Sequence, residues 1–149
     1  MLKVKDVMQD KVMKVLPDMS VPALIQLLQT QMIQGAPVVD PQNRVIGIVS
    51  LSDVASEAAR TQGEVLRLHH GQEALFDEEP LRFSTVREIM NPVVYQVQED
   101  EPVAEVIRFM LGARIHRAVV VRGETLVGIV STTDFMRLCL RYLESPKEA

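Results

Sequence analysis

Two stretches of the chain carry apolar residues at helical spacing. The apolar stripes consist of Leu24, Ile25, Leu27 and Leu28 in the first stretch, and of Val103, Val106, Ile107, Met110 and Leu111 in the second. Apolar residues that recur every three to four positions are typical of an amphipathic helix. Ser20 is a candidate cap for the first helix, and Pro22 is tolerated in its first turn. Each stretch therefore predicts a helix with one buried face.

Short runs of β-branched residues surround each predicted helix. One run precedes it, "VMKVL" (12–16) in the first case and "VVYQV" (93–97) in the second. Two more follow it, "PVVD" with "VIGIV" and then "AVVV" with "LVGIV", joined by the turn candidates "PQNR" and "RGET". Such runs between turn signals predict strands. With a helix after the last run, the order strand, helix, strand, strand, helix occurs twice.

The two halves also repeat each other residue by residue. "GAPVVDPQNRVIGIVSLSD" (35–53) aligns without a gap with "HRAVVVRGETLVGIVSTTD" (116–134) at an offset of 81, whereas "VKDVM" (4–8) matches "VREIM" (86–90) at an offset of 82. We expect the one-residue difference near the end of the first helix. A duplicated unit of about 50 residues buries too little surface to fold alone. The two copies are therefore expected to pack as one α/β (α+β) globule with pseudo-twofold symmetry.

This repeat divides the chain into a first motif at 1–58, a partly helical linker at 59–85 and a second motif with a C-terminal helix at 86–149. Gly63 and Gly71 are expected to interrupt the linker helix. The apolar helix faces, including "FMRLCLRYL" after Asp134, exceed what one small globule covers. A homodimer is therefore expected.

The composition and net charge of the chain argue against several classes of protein. The chain has 149 residues and a net charge of −4 without a basic tract, which argues against a nucleic-acid partner. No apolar run reaches the roughly 18 residues of a membrane span, and no signal peptide is evident. Cys139 is the single cysteine and is expected to be buried on an apolar helix face. We expect a cytoplasmic protein.

The phrase Ser-x-x-Asp ends both matching segments, at Ser50–Asp53 and Ser131–Asp134. One interpretation is structural, because Ser-x-x-Asp is close to the capping box that starts a helix. The other is a nucleotide site, because hydroxyls at a helix N-terminus suit phosphate and a carboxylate accepts hydrogen bonds from two sugar hydroxyls. Gly47 and Gly128 favour the second, since glycine inside a strand often marks close approach by another group.

The pattern of both copies resembles a tandem pair of cystathionine-beta-synthase (CBS) domains, also called a Bateman module. The resemblance implies an adenosine-containing ligand (AMP, ADP, ATP or S-adenosylmethionine), with the two aspartates on the ribose hydroxyls and the preceding hydroxyl residues on sugar or phosphate. The ligand-binding residues that it implies are Gly35, Ala36, Pro37, Ser50, Ser52 and Asp53 in the first copy, and Ile115, His116, Arg117, Ala118, Ser131, Thr133 and Asp134 in the second.

The second copy also resembles the AMP-binding repeats of the gamma subunit of AMP-activated protein kinase. That resemblance implies that His116 and Arg117 contact phosphate, and an Arg fork suits phosphate oxygens. The first copy has Gly35 and Ala36 at the aligned positions. Its site therefore borrows Arg117 across a cleft between the copies, binds more weakly or stays empty.

Two interpretations of function follow. The first is a regulatory module that senses an adenine nucleotide in that cleft, requires no cofactor, has no catalytic or metal site and acts on an unknown regulated protein. The alternative is a dimerising interaction module with empty or S-adenosylmethionine-type sites. His69 and His70, near the acidic residues 77–79, fit a solvated linker better than a metal site. Tyr95 fits either the edge of an adenine pocket or a half-buried strand position.

Overall fold

The structure, a computed structural model, describes the backbone of residues 1–68 and 84–146 and the side chains of residues 1–61 and 84–146. It is a mixed α/β fold built on two similar repeats, as the sequence predicts. Its elements in chain order are a 3-10 helix (Val4–Asp6), α1 (Val21–Thr30), β1 (Gly35–Val39), β2 (Val45–Ser50), α2 (Leu51–Leu68), α3 (Val86–Ile89), β3 (Gln96–Gln98), α4 (Val103–Ala113), β4 (Arg117–Arg122), β5 (Thr125–Ser131) and α5 (Thr132–Glu144).

The elements form two compact units that do not coincide with the two repeats. A continuous unit comprises Met13–Val93, and a split unit comprises Met1–Val12 together with Val94–Ala149. Each unit thus contains the opening segment of one repeat and the remainder of the other. The predicted motif boundaries along the sequence, 1–58 and 86–149, stay a prediction.

The continuous unit is built on the antiparallel pair of β1 and β2. Leu24 and Leu28 of α1 are buried in its core, and Ile25 and Leu27 pack against that core from its margin. The Ser20 hydroxyl accepts the N–H of Ala23 at 3.2 Å, which confirms the predicted cap. The predicted strand 12–16 is reduced to a single bridge between Val15 and Val38.

The split unit has a three-stranded sheet in the order β3, β4, β5. β3 runs parallel to β4, and β4 pairs antiparallel with β5. Val103, Val106 and Met110 of α4 lie in the core below this sheet, as the apolar stripe predicts. Leu111 is an exception, because its side chain is exposed.

The opening segments of the repeats are held by equivalent contacts in the two units. Val4 is fully buried in the core of the split unit, and Val86 is fully buried in the core of the continuous unit. Gln9 exchanges backbone hydrogen bonds with Ile129 at 2.8 and 2.9 Å, and Asn91 exchanges them with Ile48 at 2.8 and 2.9 Å. Each opening segment therefore crosses the strand that leads into a Ser-x-x-Asp motif.

The strand glycines are explained by this crossing. A Cβ built on Gly128 would lie 2.6 Å from Met8 Sδ and 2.8 Å from the Gln9 carbonyl oxygen, and one on Gly47 would lie 2.6 Å from Met90 Sδ. The predicted close approach is confirmed, but the neighbour is protein. The glycines thus give no support to the nucleotide interpretation.

The one-residue difference between the repeats lies in the hairpins. Val39 faces Val45, whereas Val121 faces Leu126, so five residues (40–44) lie between the first pair and four (122–125) between the second. The offset between the repeats is 82 before the turn and 81 after it. The expectation of a difference near the end of the first helix is therefore wrong, and so is the gapless alignment of the two segments. A surface turn accepts an extra residue more easily than a packed helix.

Two further expectations about helices fail. Helix α2 continues through Gly63 to Leu68, so Gly63 does not interrupt it. Cys139 is exposed on α5 instead of buried, because Phe135 takes the core position of that helix and Leu138 packs beside the core. Gly71, His69, His70 and the acidic residues 77–79 lie outside the described residues.

Within the described part of the chain, no helix is long and apolar enough to cross a membrane. Over the same residues, no group of three or more His, Cys, Asp or Glu side chains is arranged to hold a metal ion.

Candidate ligand-binding site

The first Ser-x-x-Asp motif begins helix α2 and leaves half of its carboxylate unused. Asp53 Oδ2 accepts the backbone N–H of Ser50 at 2.8 Å and the Ser50 hydroxyl at 3.1 Å. The Ser50 and Ser52 hydroxyls are 2.8 Å apart. Asp53 is partly exposed, and the described residues offer no hydrogen-bond partner to its Oδ1 atom. This oxygen is available to a ligand.

The second motif caps helix α5 with the same geometry. Asp134 Oδ2 accepts the backbone N–H of Ser131 at 2.8 Å and its hydroxyl at 3.1 Å, while the Ser131 hydroxyl accepts the N–H of Asp134 at 3.4 Å. This is a complete capping box. The structural interpretation of Ser-x-x-Asp therefore accounts for Oδ2 in both motifs.

The two aspartates differ in what their second oxygen contacts. Asp134 is 5% exposed, and its Oδ1 accepts the side-chain amide of Gln9 at 2.9 Å and Arg137 Nη1 at 3.4 Å. Asn91 is the counterpart of Gln9 in the continuous unit. Its side-chain oxygen instead accepts the N–H of Val93 at 2.9 Å.

The sequence-based site prediction missed Gln9, Asn91 and Arg137. The signal for the first two was present, because the match of 4–8 with 86–90 at an offset of 82 extends by one position to Gln9 and Asn91. Arg137 is visible one turn after Asp134 as a residue at i+3, a spacing that places two helical side chains together.

The predicted phosphate residues lie beside the capping box of α5. Arg117 faces Ser131 in the β4–β5 register, and the carbonyl oxygen of His116 accepts the N–H of Thr132 at 3.0 Å. The side chains of His116, Arg117 and Thr133 are exposed. No ion pair joins Arg117 to another described residue, so its guanidinium is free to meet an anion.

The first repeat lacks these groups, and the hairpin offset changes which residues correspond. Gly35 faces Ser50, and the carbonyl oxygen of Gln34 accepts the N–H of Leu51 at 2.9 Å. Gln34 and Gly35 are therefore the counterparts of His116 and Arg117, in place of Gly35 and Ala36. The first repeat still has no cation at this place.

The remaining predicted residues contribute backbone more than side chain. Ala36 and Ala118 are buried in the two cores, and Pro37 is also buried. Ile115 packs against the core of the split unit. Each set lies on, or directly before, the strand beside its own Ser-x-x-Asp motif, so the structure brings together the residues predicted for each repeat.

Tyr95 lies at the surface of the split unit. Its ring is 48% exposed and its centroid is 6.0 Å from that of Phe109 on α4. The tilted arrangement of the two rings is a common aromatic contact. Tyr95 is thus an exposed aromatic residue that precedes β3 and packs on a helix, so the expectation of a half-buried strand position is wrong. Its contact with adenine stays a prediction.

Comparison with known proteins identifies the family. The CBS domain matches residues 4–60 and 86–141, which are the two repeats and most of the chain. The chain belongs to the CBS domain family.

Two curated proteins are similar to this CBS pair over most of its length. It is 26% identical over 136 residues to the inosine-5′-monophosphate dehydrogenase of Methanocaldococcus jannaschii. The alignment spans 91% of this chain and 23% of that enzyme. An uncharacterized protein of the same organism is 25% identical, with 92% of this chain and 39% of that protein covered. The chain thus spans well under half the length of these curated relatives.

Solved CBS pairs have the same fold. The pair of protein MJ0100, in complex with 5′-methylthioadenosine and S-adenosyl-L-methionine, is 25% identical, with a TM-score of 0.71 and coverage of 95% of this chain and 98% of that one. The protein CBSX2, in complex with AMP, is 22% identical, with a TM-score of 0.75 and coverage of 97% and 100%. At that identity the second likeness shows the fold alone.

Proposed function

We propose that this CBS pair is a regulatory module that binds an adenosine-containing ligand at its Ser-x-x-Asp motifs and has no catalytic role. The observation that carries the proposal is the open Oδ1 of Asp53 beside the hydroxyls of Ser50 and Ser52. A carboxylate oxygen is an acceptor only, and it suits the two neighbouring hydroxyls of a ribose. The ligands of the MJ0100 pair both contain a ribose, which supports the same ligand class here.

The preferred ligand in this proposal is an adenine nucleotide: AMP, ADP or ATP. Arg117 supports this choice, because it pairs with Ser131, the residue before α5, in the β4–β5 register, and its exposed side chain is free of ion pairs with the described residues. Arg supplies paired donors that match phosphate oxygens. Ligand binding regulates by favouring one of two conformations of the pair, with a coupling of about 1–3 kcal/mol.

A thermal-shift screen tests the function. Adenosine, AMP, ADP, ATP, S-adenosylmethionine and 5′-methylthioadenosine are added in turn to the wild-type protein. A ligand at 100 times its dissociation constant stabilises the folded state by about 2.7 kcal/mol, which is several degrees for a chain of this size. A larger shift with AMP than with adenosine supports a nucleotide. The largest shift with S-adenosylmethionine contradicts the choice of nucleotide but keeps the ligand class.

Asp53→Ala is compared with wild type by calorimetry, with the ligand that gives the largest thermal shift. The loss of a charge-assisted hydrogen bond costs about 1.5–3 kcal/mol, so affinity at the first repeat falls at least tenfold. The control is Asp18→Ala, because that carboxylate is 92% exposed and outside the site. Absence of binding by all six compounds contradicts the proposal and favours the alternative, an interaction module.

We also propose that the protein is a homodimer that uses α5. Met136, Leu140 and Leu143 follow each other at i, i+4 and i+7 on this helix, and all three are exposed. Tyr142, Cys139 and Leu2 continue the apolar surface. An apolar stripe of this size is unusual on a monomer. The α1 stripe, by contrast, is largely used by its own core.

Sedimentation velocity tests the dimer. Wild type sediments as a dimer at tens of micromolar, and Leu140→Glu sediments as a monomer because a charge in a buried apolar interface is costly. The control is Gln26→Glu on the exposed face of α1, which leaves the dimer intact. A wild-type monomer at this concentration contradicts the proposal.

A further inference from the structure

We infer that Gln9 is a positioning residue that occupies the ligand-facing oxygen of Asp134 and so makes the two repeats unequal. In the unliganded protein the second repeat is closed by its own chain, and Asp53 is the acid that a ribose meets first. This inference rests on the proposed function. It concerns a residue outside both Ser-x-x-Asp motifs.

The contacts of Asp134 leave no room for another donor. A carboxylate offers roughly four acceptor positions. Two on Oδ2 are taken by the N–H and hydroxyl of Ser131, and Oδ1 is taken by Gln9 Nε2 at 2.9 Å and Arg137 Nη1 at 3.4 Å. The Asp134 side chain is only 4% exposed. A diol therefore gains this carboxylate only by displacing one of the two donors on Oδ1, and Gln9 makes the shorter of the two hydrogen bonds.

Asp53 has the same two contacts on Oδ2, and no described residue makes a competing contact with its Oδ1. Its Oδ2 has the two Ser50 bonds. The position that corresponds to Arg137 is Ser56, which is exposed and carries no charge. The position that corresponds to Gln9 is Asn91, whose side chain bonds to the backbone of Val93.

One methylene group separates these two arrangements. Gln9 and Asn91 have equivalent backbone positions, because each forms a two-way bridge to the residue five before its aspartate, Ile129 and Ile48. From that fixed point the longer Gln side chain reaches the carboxylate. The shorter Asn side chain turns back to its own segment. Gln9→Asn should therefore free Oδ1 of Asp134 from this contact, and Asn91→Gln should place an amide on Oδ1 of Asp53.

This arrangement links the N-terminal segment to ligand binding. Gln9 lies on the stretch that is tied into the split unit through Val4 and the Ile129 bridge. A ligand that takes Asp134 frees the Gln9 side chain, while a ligand at Asp53 disturbs no protein contact of Oδ1. The two repeats thus respond to the same compound at different concentrations.

Calorimetry with adenosine tests the inference, because adenosine carries no phosphate for Arg117. In an Asp53→Ala background the first repeat has lost its open carboxylate, and the addition of Gln9→Asn should tighten the tightest adenosine site about tenfold relative to the background alone. In otherwise wild-type protein, the reciprocal Asn91→Gln should weaken the tightest adenosine site about tenfold. Gln26→Asn makes the same change at an exposed position of α1 and should alter neither affinity.

The outcomes separate the inference from the proposed function. A merely structural role for Gln9 predicts unchanged or weaker binding in Gln9→Asn, and that result overturns the inference while adenosine binding to wild type keeps the function. Unchanged affinity in Asn91→Gln also overturns it. Absence of binding by wild type and every variant, with all six adenosine compounds, overturns the proposed function and the inference together.

Discussion

The two Ser-x-x-Asp motifs show that similar local structure does not give identical chemistry. Both motifs start a helix and use Oδ2 of the aspartate in the same two hydrogen bonds. They differ at Oδ1, which is open in Asp53 and bonded to Gln9 and Arg137 in Asp134. Gln9 is 125 residues away from Asp134 along the chain. A capping motif therefore specifies the helix start, while a distant segment decides whether its acid is available.

The largest expected effect is on the stability of the two aspartate variants. Asp134→Ala removes a buried acceptor of four hydrogen bonds, whereas Asp53→Ala removes a partly exposed acceptor of two. We expect losses in the free energy of unfolding of about 3 and about 1 kcal/mol. Urea denaturation measures both, with Asp18→Ala as the control. Equal losses would contradict the difference between the two sites.

Substitution of the strand glycines that the opening segments cross should also cost more stability in the second repeat than in the first. The Cβ of Gly128→Ala would meet the Gln9 carbonyl oxygen at 2.8 Å, while that of Gly47→Ala would meet the Asn91 carbonyl oxygen at 3.1 Å. Both would also contact a methionine sulfur, which is flexible. We expect the free energy of unfolding to fall by about 2 kcal/mol for Gly128→Ala and about 1 kcal/mol for Gly47→Ala.

Gly112→Ala is the control for this pair. A Cβ there meets nothing within 4 Å, and Gly112 lies inside helix α4, so the substitution should stabilise by about 0.5 kcal/mol. A cost for Gly47→Ala greater than that for Gly128→Ala would show that the crossing segments do not set the difference.

Arg117→Ala tests whether the second repeat, unlike the first, uses an arginine to bind the phosphate of a nucleotide. Arg117 faces Ser131, and its counterpart Gly35 has no side chain. If Arg117 binds phosphate, AMP affinity falls about tenfold, or about 1.4 kcal/mol, while adenosine affinity is unchanged. High salt should weaken AMP binding only. Calorimetry with both ligands measures this, and Arg108→Ala on α4 is the control. Equal losses for both ligands would remove Arg117 from the site.

The smallest expected effect is on the pH dependence of thermal stability, through Asp40 in the first hairpin turn. The backbone N–H of Arg44 and then its guanidinium, together with the N–H of Gln42, lower the pKa of Asp40 from its ordinary value of 3.8. A lowered pKa in the folded state contributes stability above the ordinary pKa, and that contribution is lost as pH falls through the lower, folded value. Asp40→Asn should therefore lower Tm at pH 6 more than at pH 3.

The second hairpin provides the comparison for that measurement. Arg122, the counterpart of Asp40, does not titrate in this range and instead lowers the pKa of Glu99 through a side-chain hydrogen bond. Thermal denaturation of Asp40→Asn and of Asp18→Asn at both pH values checks the effect. A larger loss at pH 3 than at pH 6 would reverse the sign and contradict the role of Asp40.

Local elements were the easiest features to predict. The stripe of α4, the cap of α1 at Ser20 and both hairpins follow from spacing and from residue types with strong local preferences. The errors occur where local preference is weak. The run 12–16 has the composition of a strand but forms only one bridge, and Cys139 is exposed although its neighbours are apolar.

Local sequence specifies the duplication, the order of elements, the two helix-capping motifs and the presence of Arg117 in one repeat only. These properties depend on residues near each other in the chain. Long-range contacts specify which opening segment joins which unit, which neighbours lie close to Gly47 and Gly128, and which aspartate has an open oxygen among the described residues. Those outcomes depend on contacts between residues about 40 to 125 positions apart, such as Gly47 with Asn91 and Gln9 with Asp134. Spacing along the chain cannot encode such contacts, because the free energy of a hydrogen bond depends on the distance and burial of its partners in the folded protein.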